Sequence, residues 1–116
     1  MKSYWLILAT LALLAAGCAP QVDLEAERAA LLTADEAWSE SAPDLDRFLS
    51  FYADDASLLP PGAPVATGEE AIRAFFSALS SAPGFALSWG ATGAEVSRTG
   101  DLGYTYGRLE SGMLEQ

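Results

Sequence analysis

Asp35 lies four residues after Leu31 and three before Trp38, a spacing that puts all three on one side of an α-helix. A carboxylate on an apolar helix stripe can serve as a pocket acid or base. It can equally be a stripe-edge residue facing water, which is the plainer reading. Glu110 is the other candidate acid or base, and Asp44 is a third carboxylate near a helix start. Beyond these the chain is poor in reactive groups. It contains no histidine, which excludes imidazole bases and His-ligated metals for this chain alone. The adjacent Asp54 and Asp55 do not read as a metal site, because neighbouring side chains on a turn diverge and a hard cation needs several convergent oxygens. No metal and no cofactor is expected.

Aromatic residues are the alternative source of function. Trp38, Tyr52, Trp89, Tyr104 and Tyr106 are the candidate ligand-binding residues. A pocket lined by aromatic rings with few polar groups suits a small apolar ligand. The same rings also suit an ordinary hydrophobic core, which is the plainer reading. Arg108 shares a strand face with the tyrosines, as an anion anchor or as a solvated arginine.

The elements that must hold these residues begin after an apolar leader. Lys2 precedes a run from Tyr4 to Ala16, shorter than the roughly 20 residues a membrane-spanning helix needs. Charged, apolar and small-residue regions follow one another as in a secretory signal. The sequence Leu14-Ala15-Ala16-Gly17-Cys18 resembles the bacterial lipobox. That resemblance implies a signal peptide over 1–17 and an acylated Cys18 as the first mature residue. Residues 18–23 would be a short tether, with a domain over 24–116. It also implies a membrane partner through the lipid anchor and a cell-envelope location. Ala19 after the cysteine points to the periplasmic face of the outer membrane rather than the inner membrane.

Loss of Lys2 with the leader leaves five arginines against sixteen acidic residues, a net charge of −11. Such a balance argues against nucleic acid and against anionic headgroups, which both require clustered Lys or Arg.

Within the domain, Leu24, Leu31 and Trp38 recur every seven residues, flanked by Leu32 and Ala34, and predict a helix over Val22–Glu40. Leu45, Phe48, Leu49 and Tyr52 predict a short second helix over Asp44–Tyr52. Ala56–Leu59 and Val65-Ala66 read as short strands about a turn containing Pro60, Pro61 and Pro64. Thr67 with Glu70 has capping-box spacing and opens a third helix ending near Ser80, with Ile72, Phe75, Phe76 and Leu79 on one face. Phe85, Leu87 and Trp89 alternate in a long strand, with a bulge or bend at Gly90 and Gly93. After a turn at Arg98–Asp101, Leu102, Tyr104, Tyr106 and Arg108 share one face of a last strand. The length of these two strands predicts an antiparallel hairpin. Glu110 to Glu115 carries no convincing strand pattern.

This order of elements, with Phe51-Tyr52-Ala53-Asp54-Asp55-Ala56, Gly68-Glu69-Glu70-Ala71-Ile72, Phe75-Phe76 and Asp101-Leu102-Gly103-Tyr104, resembles the nuclear transport factor 2-like superfamily. Within it the chain is similar to the SnoaL-like and DUF4440 groups. The resemblance covers about residues 24 to 110. It implies an α+β cone, with N-terminal helices packed on a curved antiparallel sheet around an apolar pocket. Members usually continue with further strands, so C-terminal strands are expected to be missing. An unpaired edge would then favour aggregation or a homodimer.

Some members are ketosteroid isomerases, which use a carboxylate base and acidic donors. Laid on that group, the base position falls on Pro60 and the helix-one tyrosine falls near Glu36. Proline has no side-chain proton acceptor, and Glu36 is not the tyrosine expected there. The expectation is a non-catalytic, lipid-anchored domain binding a small apolar ligand or a protein partner. The alternatives are a cofactor-independent isomerase, cyclase or hydrolase using a pocket carboxylate, and an inactive fragment of such a domain.

Overall fold

The computed structural model describes residues 21–112. Cys18, the leader and residues 113–116 lie outside them.

Helix α1 spans Leu24–Glu40. The Asp23 carboxylate accepts from the Ala26 N–H at 3.1 Å and starts the helix two residues later than Val22. Glu25 and Glu27 add negative charge where the helix dipole favours it. The face turned to the rest of the domain runs Leu24, Arg28, Leu31, Asp35 and Trp38, in steps of four and three. Leu32 and Ala34, expected beside the stripe, are exposed. The buried face therefore passes through Asp35 itself, and the expectation of a water-facing stripe-edge residue is wrong. Asp35 is only 8% exposed.

Helix α2 covers Leu45–Leu49, capped by the Asp44 carboxylate on the Arg47 N–H. It stops short of Tyr52 because Ser50 turns its hydroxyl back on the Arg47 carbonyl. The chain then tightens to three-residue turns, with Tyr52 N–H donating to the Leu49 carbonyl at 3.0 Å. Tyr52 stays on the Phe48 side, 5.7 Å between ring centroids.

Strands β1 (Ser57–Leu58) and β2 (Ala66–Thr67) pair antiparallel around the proline-rich turn. Helix α3 spans Glu69–Ser80 and begins without the expected capping box. The Thr67 hydroxyl instead bonds Ser57 across the small sheet at 3.1 Å. The N-cap is Gly68, at φ +83°, a conformation open to glycine but strained for other residues. Ile72 is fully buried and joins Phe48, Leu49 and Ala66 as the core. On the surface Arg73 joins α3 to α2 through Asp46 at 2.7 Å and also meets Glu69 at 3.1 Å. Ion pairs this exposed contribute little each.

Strands β3 (Ala86–Val96) and β4 (Gly103–Gly112) form the predicted antiparallel hairpin. A bulge at Thr92 shifts the register between Ala91 and Gly93, within the glycine-flanked stretch. The hairpin extends further than its second half predicts, since Ala86 pairs with Gly112 and draws Glu110 to Gly112 into the ladder. Gly107 has no room for a side chain: a Cβ there would strike the Gly90 carbonyl oxygen and stand 2.8 Å from the Ala91 Cα.

The described chain is thus α+β, three helices and two separate two-stranded antiparallel sheets, with no closed barrel. Helix α1 crosses one face of the β3–β4 hairpin, while α2 and α3 pack together beside the small sheet. No helix among the described residues is long and apolar enough to cross a membrane.

Candidate functional site

Trp89 is where the elements meet. Asp35, Trp38 and Ser39 sit at positions i, i+3 and i+4 of α1 and all three engage it. The Ser39 hydroxyl accepts from the Trp89 backbone N–H at 3.1 Å and donates to its carbonyl at 2.8 Å. One helix side chain thereby stands in for a neighbouring strand at the β3 edge. The Trp89 indole donates to Asp35 Oδ2 at 3.0 Å, and its ring lies edge-on to Trp38 at 4.9 Å and 76°. Thr105, on β4, donates to the other oxygen, Asp35 Oδ1, at 2.8 Å. Both oxygens of a nine-tenths-buried carboxylate therefore act as acceptors, toward neutral donors.

Around this clamp the aromatic side chains stack into a wall. Trp38 meets Tyr52 at 5.2 Å and 87°, and Phe48 meets Phe76 at 4.7 Å and 72°. Edge-to-face contacts of this kind contribute about 0.5–1.5 kcal/mol each beyond the area they bury. The wall lines an open apolar cleft of about 330 Å³, bounded also by Leu58, Pro60, Pro61, Leu87 and Leu109. A second hollow of about 220 Å³ continues along the same sheet face, between Asp35, Ala91, Thr105 and Gly107. Trp89 and Leu109 border both. The result is a greasy cleft beside a second hollow that holds one carboxylate, Asp35. Partial burial pushes the Tyr52 hydroxyl from its usual value near 10 up to about 12, because the phenolate would be desolvated, so Tyr52 is a neutral phenol there.

The expected aromatic set divides in two. Trp38, Tyr52 and Trp89 come together at the cleft. Thr105 faces α1, so strand alternation turns its neighbours Tyr104 and Tyr106 to the opposite face, where they are 62% and 52% exposed. Their rings pair with each other at 6.3 Å. Arg108 and Glu110 follow the same alternation and are exposed. Of the carboxylate candidates only Asp35 is buried near the cleft, bordering the adjoining hollow rather than the cleft itself, while Asp44 caps α2. Pro60 does line the cleft, as a methylene wall without a proton acceptor, and Glu36 is exposed.

Sequence reasoning missed Ser39, Phe48 and Thr105 as parts of the site. Thr105 carried a readable signal: it sits between Gly103 and Gly107 on one strand face, the only larger side chain where two glycines leave space. Ser39 carried none, because its role depends on which strand edge the helix crosses. Among the described residues no three His, Cys, Asp or Glu side chains converge as a metal site would need. Compared with protein-family models, with curated proteins and with solved structures, the chain matches none.

Proposed function

We propose that this is a lipid-anchored domain of the bacterial cell envelope that binds a small apolar ligand, through a nuclear transport factor 2-like arrangement of helices on a curved sheet. The observation that carries the binding is the cleft of about 330 Å³, walled by Trp38, Phe48, Tyr52, Phe76 and Trp89 and open to the surface. A filled core would leave no such space beside half-buried aromatic rings. The order of elements and the long bulged hairpin support the superfamily reading. The lipobox-like Leu14–Cys18 supports the anchor. An apolar ligand fits a protein held at a bilayer, where such molecules concentrate.

Trp38 and Trp89 make the test direct. Titration with the dye ANS should quench or shift tryptophan emission and raise dye fluorescence, saturably and at one site. Replacement of Phe76 by Trp, which fills the cleft, should abolish the response. Dye binding unaffected by Phe76→Trp would show that the cleft is not the site.

A second reading, a cofactor-independent enzyme, is favoured by one observation: Asp35 is buried beside the hollow it borders. In it Asp35 would move a proton on a bound apolar substrate. Its oxygens are already engaged by Trp89 and Thr105, and no second carboxyl group among the described residues borders that hollow, so binding is the better-supported role. Turnover of an enolisable ketone by the wild type and its loss in Asp35→Asn would reverse that preference.

A further inference from the structure

We infer that the ligand of this cleft is an amphiphile carrying a cationic amine, seated with its apolar body among the aromatic rings and its ammonium against Asp35; this rests on the ligand-binding reading above. Asp35 is 8% exposed, yet none of the ion pairs among the described residues involves it. Its partners are an indole N–H and a hydroxyl, both neutral. Arg108, the cationic residue of the neighbouring hollow, belongs by alternation to the outer strand face and is exposed.

The hollow that Asp35 borders is open to the surface, so water has a route to the carboxylate in the free protein. A neutral apolar ligand that closed over it would exclude that water and leave a carboxylate with no counter-ion. An acidic ligand would add a like charge. A hydroxyl would supply one hydrogen bond and no charge. Only an ammonium head supplies both the charge and the donors, and Asp35 retains free acceptor capacity at each oxygen. Trp89 borders both hollows, and an aromatic ring there suits the same cation.

Three probes of one shape separate the possibilities: 4-phenylbutylamine, 4-phenylbutan-1-ol and 4-phenylbutyrate, titrated into the full acylated protein held in amphipol and read by tryptophan emission. The amine should bind about tenfold tighter than the alcohol, and the acid weakest. Butylamine, with the charge but little apolar body, should not compete, which excludes attraction by net charge alone. Asp35→Asn should bring the amine down to the level of the alcohol. Should that variant fail to fold, the wild type still decides: the Asp35 carboxyl carbon resonance should move on adding the amine and stay put with the alcohol. Equal affinities for amine and alcohol would overturn the head-group assignment while leaving the cleft as an apolar site. No binding of any of the three would overturn the ligand-binding reading itself.

Discussion

Replacing Asp35 by alanine tests the clamp that holds α1 to the hairpin. The change leaves the Trp89 indole N–H and the Thr105 hydroxyl, 3.0 and 2.8 Å from its oxygens, without an acceptor. A buried donor stripped of its partner costs about 1–3 kcal/mol. Thr105 borders an open hollow, so water replaces part of its bond. The net loss should be about 2–4 kcal/mol, a large share of the stability of a domain this small. Thr105→Val removes one donor and leaves Asp35 its bond to Trp89, at about 1 kcal/mol. In Asp35→Ala combined with Thr105→Val one orphaned donor is gone, so the pair should be less damaging than the sum of its parts by about 1 kcal/mol. Urea unfolding followed by far-ultraviolet circular dichroism measures all four proteins, with an unchanged slope as the check that only stability moved. Asp35→Ala within about 0.5 kcal/mol of the wild type, or strict additivity in the cycle, would refute the account of Asp35 as a shared acceptor.

Other expectations follow from the same geometry. Trp89→Phe loses the bond to Asp35 and should destabilise by about 1–3 kcal/mol, whereas Trp38→Phe removes an indole N–H that is buried without a partner and should cost less; paired thermal melts rank them. Gly107→Ala must push the β3 backbone at Gly90 and Ala91 aside, and should cost about 1–3 kcal/mol with loss of amide protection in the hairpin. The Tyr52 hydroxyl titrates higher in the folded protein than in the unfolded chain, so its contribution is complete below pH 10 and is lost as pH rises toward about 12. Because the ring is only half-buried that contribution is at most about 2 kcal/mol; Tyr52→Phe should flatten the fall in stability across this window, and parallel curves for the two proteins would contradict it. Cys18→Ser should release the protein from membranes or leave its leader uncut; an unchanged membrane fraction with a cleaved leader would count against the anchor.

Much of the architecture was legible because its causes are local. Asp44 caps the helix that begins beside it, the prolines at 60, 61 and 64 confine the small hairpin to its flanks, and Ile72 with Phe75 and Phe76 marks one inward face. What failed was decided at a distance. Thr67 has the spacing of a helix cap, yet Ser57 across the strand pair claims its hydroxyl. Glu110 to Gly112 carry no strand pattern, yet the length of β3 pulls them into register. Asp35 could be placed near the stripe from its spacing, but its burial depends on donors 54 and 70 residues away. Alternation did put Tyr104 and Tyr106 on one face. It could not say that the helix would cover the other.

The most direct test of the cleft as a ligand site is a nitrogen–proton spectrum of the indole groups of Trp38 and Trp89, with a carbon–proton spectrum of the leucine methyls, during titration with 4-phenylbutylamine. Trp38, Trp89, Leu87 and Leu109 should move together along one saturating curve while Leu102, on the far face, stays fixed. Shifts confined to Leu102 and the outer tyrosines, or no saturable shift at the two indoles, would contradict the account.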